Sequence, residues 1–580
     1  MQKTVVKEKK SVKGKWYLLF LLCSVLSVIH VKGVKAETSY EQELKERVAS
    51  YNTIWDQYDY LVTNDCMFII RSGENNASVI GFNPNATDIS VPETIQGRTV
   101  TNIELYDSID ELSTNIKSIQ IPSGVQWATG LNYLKNLEEI TVDSSNQNLF
   151  VQDGILYEKS GDVTGNYPEQ LVCMPPDSKI IKYTLLEGTK RIRYDAFCNC
   201  KNLKEIVLND SLIEIGNSAF KESGIQKITL SDKLKHICSS AFAYCKELNE
   251  ILIPENNVTF QNKDGVLYEF RDEQSNPELI CMTTAYTKSS FTLPEMVKKV
   301  SVDAFTCNDR LEKIKVNHNR YTYERSAFAS DSVQEIVLQT NAEVRSGEPF
   351  FGAVKLKKIT VDKKNRNMKS LDGVLFTKNE KILIYMPVNF SKKKYTVPKS
   401  VKRIRKEAFY NQKTIKELSM SDSVQSIEEL AFCESGIEKV RVSKGLSRIG
   451  FAAFQNTKIK SIDLTTKVKR IPDSCFYGCT KLRKVILPKK LERIDALAFA
   501  LCVKLSKIEI PSTVKKLGSN HSSDYWGSKP YEVDAFYSIS QDRSKILEEI
   551  RKITIIAKKN SYAYKYAKKH KKYGFVAKKA

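Results

Sequence analysis

An Ala-Phe pair returns along the chain at a near-constant interval. Its Ala is Ala196, Ala219, Ala241, Ala304, Ala327, Ala408, Ala431, Ala453, Ala498 and Ala535, with Pro349-Phe350 and Cys475-Phe476 in the same register. Within each run the step is 22 or 23 residues (241−219, 219−196). A unit of that size cannot bury its own apolar face and is stable only when stacked on its neighbours, so the chain is expected to be one repeat solenoid. That overrides the several ordinary domains that 580 residues would otherwise suggest.

Other apolar residues fall into columns when the units are aligned on the Phe. Ile192, Ile215, Ile237, Val300, Ile404, Ile427, Ile449, Ile471 and Ile494 precede the pair, and alternating pairs such as Ile206/Leu208, Ile228/Leu230, Ile314/Val316 and Ile462/Leu464 follow it. Period-2 alternation is a half-buried strand. Pro254, Pro488 and Pro511 end such strands, because proline has no N–H to give. The interval and the columns predict a leucine-rich-repeat solenoid with one short strand per turn, in a parallel β-sheet on one face, and short helical or irregular turns elsewhere. Side chains of successive coils should then line up into one apolar column.

A longer period lies over the first. Asp153-Gly154-Ile155-Leu156-Tyr157, Asp264-Gly265-Val266-Leu267-Tyr268 and Asp372-Gly373-Val374-Leu375-Phe376 lie 111 and 108 residues apart. Each leads into an apolar strand ending near Met174, Met282 or Met386, which reads as a β-hairpin inserted into one coil with the solenoid continuous through it.

These motifs resemble the BspA-type leucine-rich repeats of bacterial surface proteins: Ile, then Ala-Phe, then Cys three places on, then Leu and Ile-x-Leu-Pro. The opening unit around Cys66–Ile103 and the close from Ile553 to Lys569 are similar to that family's end units. The resemblance implies a right-handed solenoid on a secreted or surface protein, with adhesion or host-protein binding as its activity. It carries over no catalytic residue.

The expected division is a secretory signal at 1–36, an N-terminal capping helix at 37–62 and the solenoid at 63–580, with an N-terminal cap unit at 63–110 and a basic C-terminal cap unit at 551–580. Lys7 to Lys15 precede an apolar run from Trp16 to Val31, and Val34-Lys35-Ala36 reads as a cleavage site. An uncleaved signal acting as a membrane anchor is the alternative, disfavoured because the run is shorter than the roughly 20 apolar residues of a spanning helix. No second spanning segment appears, so no transmembrane helix is expected after cleavage. Leu44, Val48, Tyr51, Trp55 and Tyr58 fall at helical spacing. The chain shows no Leu-Pro-x-Thr-Gly motif, so retention at a surface would be non-covalent or through the signal. Twelve cysteines remain beyond Cys23. Their recurrence at equivalent coil positions (Cys200, Cys245, Cys479, Cys502) predicts buried free thiols serving as small hydrophobes and weak donors, in place of a disulfide framework. No metal or cofactor is expected.

The formal charge is +22, and residues 551–580 hold eleven Lys or Arg and no Asp or Glu. On the strands, the outward residue before the first buried Ile runs Glu205, Lys227, Glu250, then Lys313, Glu335, Lys358, then Glu417, Lys439, Ser461, Lys484, Lys507, Lys552. Opposite signs on neighbouring coils oppose register slips. The last three have no acid in their own column, so Lys484, Lys507 and Lys552 form the candidate site for an anionic ligand. Residues 518–531 depart from the repeat and carry His521, Asp524, Tyr525 and Trp526. Tyr525 and Trp526 are candidates for an exposed aromatic contact.

The expected function is therefore non-enzymatic: a secreted or cell-surface binding protein, adhering to a host protein or extracellular-matrix component. A first alternative is binding of an anionic cell-wall glycan or teichoic acid through the basic cap. A second is a secreted enzyme with its site in the 518–531 insertion. Basic residues among tyrosines could hold a nucleic acid, but an exported chain would not meet one.

Overall fold

The alternation of Ile206 and Leu208 places strand Glu205–Val207 with Ile206 buried and its flanks turned outward. The equivalent strands pair in parallel, residue for residue: Tyr183 with Ile206, Ile206 with Ile228, Ile228 with Ile251. The computed structural model in which this is seen describes residues 58–63, 66–71, 75–83, 85–105, 115–159, 168–270, 276–317, 322–521, 531–533, 535–536, 553–571 and 575–580. The result is a β-solenoid with parallel sheets and little helix. We call this set of strands the first ladder. It is not one sheet but successive runs, among them Lys182–Thr184 to Glu250–Leu252, Ser290–Thr292 to Lys358–Val361, and Lys394–Thr396 to Lys484–Ile486.

A second strand per turn goes beyond the single strand expected. Arg191–Ile192, Glu214–Ile215 and His236–Ile237 form a second parallel ladder, as do Arg403–Ile404, Ser426–Ile427 and Arg448–Ile449, and Arg470–Ile471, Arg493–Ile494 and Lys516–Leu517. These strands are only two residues long, and most show a single buried position, too short for a period of two to appear in sequence.

The Ala-Phe segment supplies a third set of coil-to-coil bonds. The Phe197 N–H donates to Ala219 O (2.7 Å), Phe220 to Ala241 O (2.8 Å), Phe409 to Ala431 O (2.7 Å) and Phe476 to Ala498 O (2.8 Å). A left-handed residue stands on either side: Asp195 (φ 59°) and Asn199 (φ 65°) in one coil, Glu407 (φ 59°) and Asn411 (φ 54°) in another. The N–H groups of Asp195 and Asn199 donate to Asn217 O and Lys221 O of the next coil, both at 3.0 Å. Non-glycine residues pay roughly 1–2 kcal/mol for this conformation, offset by satisfied backbone groups that a buried turn would otherwise orphan.

The Phe side chains lie inside and stack ring on ring. Phe409, Phe432, Phe454, Phe476 and Phe499 follow one another at centroid separations of 4.8, 5.0, 5.4 and 5.3 Å. The core is not one column, however. It forms four clusters, spanning residues 66–173, 150–307, 266–385 and 374–575, which overlap where the hairpins enter.

Each hairpin turns through its Asp-Gly pair. Asp153 (φ 52°) and Gly154 (φ 77°) link Gln152 to Ile155, and Asp264-Gly265 and Asp372-Gly373 repeat the geometry. Positive φ at both central residues is the turn that matches strand twist in a two-residue hairpin. A third strand, Pro168–Cys173, Glu278–Met282 or Ile382–Tyr385, pairs antiparallel with the hairpin and parallel with the next second-ladder strand. The insertion thus starts a new run of that ladder. At each hairpin base a buried asparagine closes the preceding turn: Asn146 Nδ2 donates to Pro122 O and Val125 O, and its Oδ1 accepts from the Asn148 and Leu149 N–H groups, all at 2.8–2.9 Å. Asn257 and Asn365 do the same in their coils.

At the N-terminal end, Tyr58–Val62 is a strand paired antiparallel with Cys66–Arg71. This corrects the end of the helix expected at 37–62, since the Tyr58 position belongs to the sheet. The rest of that segment and the 1–36 signal lie outside the described residues. Among the described residues, no helix is long and apolar enough to cross a membrane.

Candidate binding surface

The outward column of the first ladder is a chain of ion pairs, as its alternating charge suggests. Lys182 meets Glu205 at 3.1 Å, Lys227 meets Glu250 at 3.1 Å, and Glu417 is held by Lys394 and Lys439 at 3.0 Å each. Glu335 lies between Lys313 (3.0 Å) and Lys358 (3.3 Å) and accepts from Thr360 Oγ1 at 2.6 Å. Burial acts to raise the Glu335 carboxyl, but the Thr360 and Lys313 hydrogen bonds and the Lys358 charge outweigh it and hold it below its ordinary value. Glu335→Gln is expected to lower stability by about 1 kcal/mol, read as a small fall in the thermal midpoint.

The pairing stops toward the C-terminus. Glu417 faces Lys439, Lys439 faces Ser461, and Ser461 faces Lys484. Lys484 and Lys507 are exposed at the equivalent place on successive coils, although the ladder's hydrogen bonding breaks between them. Among the described residues neither has an ion-pair partner. The next position in that column is a correction: Lys507 pairs with Thr554, not Lys552, because Ile508 faces Ile555. Lys552 itself, with Tyr525 and Trp526, lies outside the described residues. The 518–531 insertion opens as a hairpin in which Ser519–His521 pairs antiparallel with Tyr531–Val533. Asp524 also lies outside the described residues.

The cap unit closes the core at this end. Strand Ile553–Ala557 continues the first ladder and pairs with Phe575–Lys579, and helix Tyr562–Lys569 buries Ala563 and Ala567. Ser561 caps the helix, its side chain accepting from the Tyr564 N–H at 3.3 Å. Lys565, Lys568 and Lys569 face solvent, Lys568 lying 5.2 Å from the Tyr564 ring centre.

The thiols are arranged to pack. All twelve cysteines beyond Cys23 are free, and eleven are buried. Cys245 donates to Phe220 O at 2.8 Å, Cys479 to Phe454 O at 3.1 Å and Cys502 to Phe476 O at 3.1 Å. Burial pushes the Cys479 thiol up to about 11 and that of Cys198 up to about 12, the opposite of what a nucleophile needs. A cleft between Gly130, Asn132, Cys173, Arg193 and Tyr194 has about 10 Å³ of room, enough for about one water. Among the described residues, no three His, Cys, Asp or Glu side chains are placed to hold a metal. What the arrangement offers is a rigid, regularly spaced array of surface charge.

The buried asparagines were not singled out from sequence, yet they carry the hairpin's own signal. Asn146, Asn257 and Asn365 repeat at 111 and 108 residues, the spacing of the Asp-Gly turns.

The BspA type leucine rich repeat region matches the chain in 6 copies, over residues 176–264, 283–382 and 393–524. These cover more than half of the sequence. No curated protein matches. Among solved structures, a leucine-rich repeat protein from Eubacterium ventriosum is 17% identical with a TM-score of 0.33, over 81% of this chain and 99% of that one. A leucine rich cell surface protein from Faecalibacterium prausnitzii is also 17% identical, with a TM-score of 0.31, over 83% and 99%. The pneumococcal vaccine antigen PcpA is 15% identical with a TM-score of 0.31, over 90% and 97%.

Proposed function

The chain belongs to the BspA-type leucine-rich repeat family, and from that premise we propose that it is a non-enzymatic binding protein, exported through segment 1–36 and displayed at the cell surface. Its ligand is a protein, of host or extracellular-matrix origin, held by adhesion. The observation that carries this reading is the first ladder's outward column, neutralised coil by coil up to Glu417 and then left open at Lys484 and Lys507. An acidic protein surface complements that end. Lys552, Tyr525 and Trp526 complete the proposed contact set, the aromatics as apolar area for the ligand.

A second reading rests on the exposed Lys565, Lys568 and Lys569 of the cap: retention on an anionic cell-wall polymer. Binding of immobilised matrix proteins and of teichoic acid, each at two salt concentrations, separates the two. Lys484→Glu with Lys507→Glu is expected to weaken matrix-protein binding at least tenfold without moving the thermal midpoint. Retention through the cap would instead fall steeply with salt and be indifferent to the pair. Matrix binding unchanged within twofold by the double substitution would overturn the first reading.

A further inference from the structure

The second ladder carries a charge column of a different kind. Over its last four coils the outward rung reads Arg448, Arg470, Arg493, Lys516, with Arg470 directly opposite Arg493 and Arg493 opposite Lys516. Successive rungs of a ladder are about 4.8 Å apart. Like charges at that distance destabilise a sheet, and up to Lys439 the first ladder avoids the arrangement by alternating sign. Here the fold organises it. Asp495, at 1% side-chain exposure, accepts from Arg470 Nε through Oδ2 and from Arg493 Nε through Oδ1. Both guanidinium groups are therefore fixed through Nε alone. Their Nη groups have no carboxylate partner among the described residues, and the side chains are 60% and 37% exposed. Exposed Arg448 lies one coil before the pair, across a break in the ladder's hydrogen bonding, and half-buried Lys516 with exposed Lys515 one coil after. Beside them Lys469 is neutralised by Glu492 at 2.9 Å, and the charge of Lys515 also acts on Glu492.

A guanidinium held by Nε presents its two Nη groups as a planar fork, the geometry that grips a tetrahedral oxyanion. Two such forks one coil apart, continued by a cation at each end, match a chain of anionic groups better than a single ion. We propose that the arginine column Arg448–Arg470–Arg493–Lys516, organised by buried Asp495, is a binding site for a linear polymer bearing sulfate or phosphate groups. This assigns polyanion recognition to the second ladder, in competition with the cap reading above, and it does not depend on the protein-binding reading.

The test is titration of the full chain with heparin and with poly(glycerol phosphate), which separates a sulfated glycan from a phosphodiester polymer. Arg470→Gln with Arg493→Gln is expected to weaken binding of at least one polymer tenfold or more and to flatten its salt dependence. Lys484→Gln with Lys507→Gln should leave it within twofold. Asp495→Asn is the discriminating variant: it makes the chain more positive, so unspecific attraction would tighten binding, whereas loss of fork alignment weakens it. If Asp495→Asn does not fold, Arg470→Lys with Arg493→Lys keeps every charge and removes the forks, and a threefold or larger loss is expected. Binding of both polymers unchanged by the Gln pair, tightened by Asp495→Asn, retained by the Lys pair, or lost on the Lys484 and Lys507 substitutions would each overturn the proposal.

Discussion

Phe454→Ala is expected to lower the stability of its stretch of solenoid by about 4 kcal/mol, the range for emptying a buried phenylalanine site. Phe454 is fully buried, with its ring stacked between Phe432 at 5.0 Å and Phe476 at 5.4 Å. Its neighbours cannot close over the gap, because each coil is tied to the next: the Phe432 N–H donates to Ala453 O and the Phe454 N–H to Cys475 O. In a solenoid each coil touches only the next, so damage stays local. Hydrogen exchange should rise in the coils around residues 432–476 while the hairpin at 149–173 keeps its protection. Phe454→Leu should restore most of the loss. A change under 1 kcal/mol for the alanine variant, or a loss of protection spread evenly along the chain, would contradict the stacked core.

The second large effect is a pH dependence set by one carboxyl. Glu407 occupies the left-handed position before Ala408, where other coils place Ser218, Ser240 or Ser326. It is fully buried, neither of its carboxylate oxygens has a hydrogen-bond partner among the described residues, and Arg325 Nη1 stands at 3.5 Å. Burial pushes the group up to about 7, against the opposing charges of Lys406 and Arg325. In the unfolded chain the same carboxyl ionises near 4.5. Between those values the unfolded chain has lost a proton that the folded chain still holds, so stability falls as pH rises from 4.5 to 7 and is level above. The size is about 3 kcal/mol, from roughly 1.4 kcal/mol per unit. Glu407→Gln should remove this slope, raising the thermal midpoint at pH 8 and leaving it nearly unchanged at pH 4.5. An equal shift of the midpoint at both pH values would show that the group is not buried as an acid.

Much of the architecture could be read from residues, and the limits have physical causes. The 22- and 23-residue step and the Asp-Gly turns located the coils and the hairpins because both depend on residue type: a large ring inside, and positive φ in a two-residue turn. The second ladder was hidden because Arg191–Ile192 and its equivalents are only two residues long, too short for an alternation to show. The left-handed positions were hidden for the opposite reason. Before the Ala, Asp195, Ser218, Glu407, Leu430 and Ala452 all adopt them, held there by inter-coil bonds, so no glycine marks that place. Lys552 was misplaced by a slip of two: in Ile553-Thr554-Ile555 either Ile can take the buried seat without changing which face is apolar, and the backbone chose Ile555 opposite Ile508. The candidate surface was half legible for a related reason. Alternating charge along one ladder is a sequence pattern, but the Asp495 clamp on two arginines depends on the ladder that sequence did not reveal.

The central claim is that coils are joined through the Ala-Phe segment as firmly as through the strands. Residue-resolved hydrogen exchange at the Phe197, Phe220, Phe409, Phe432, Phe454, Phe476 and Phe499 amides tests it most directly, since each donates to a carbonyl of the following coil. The expected result is protection equal to that of the Ile206 and Ile228 amides in the first ladder. Exchange of the phenylalanine amides at the rate of open turns, with the ladder amides protected, would contradict it.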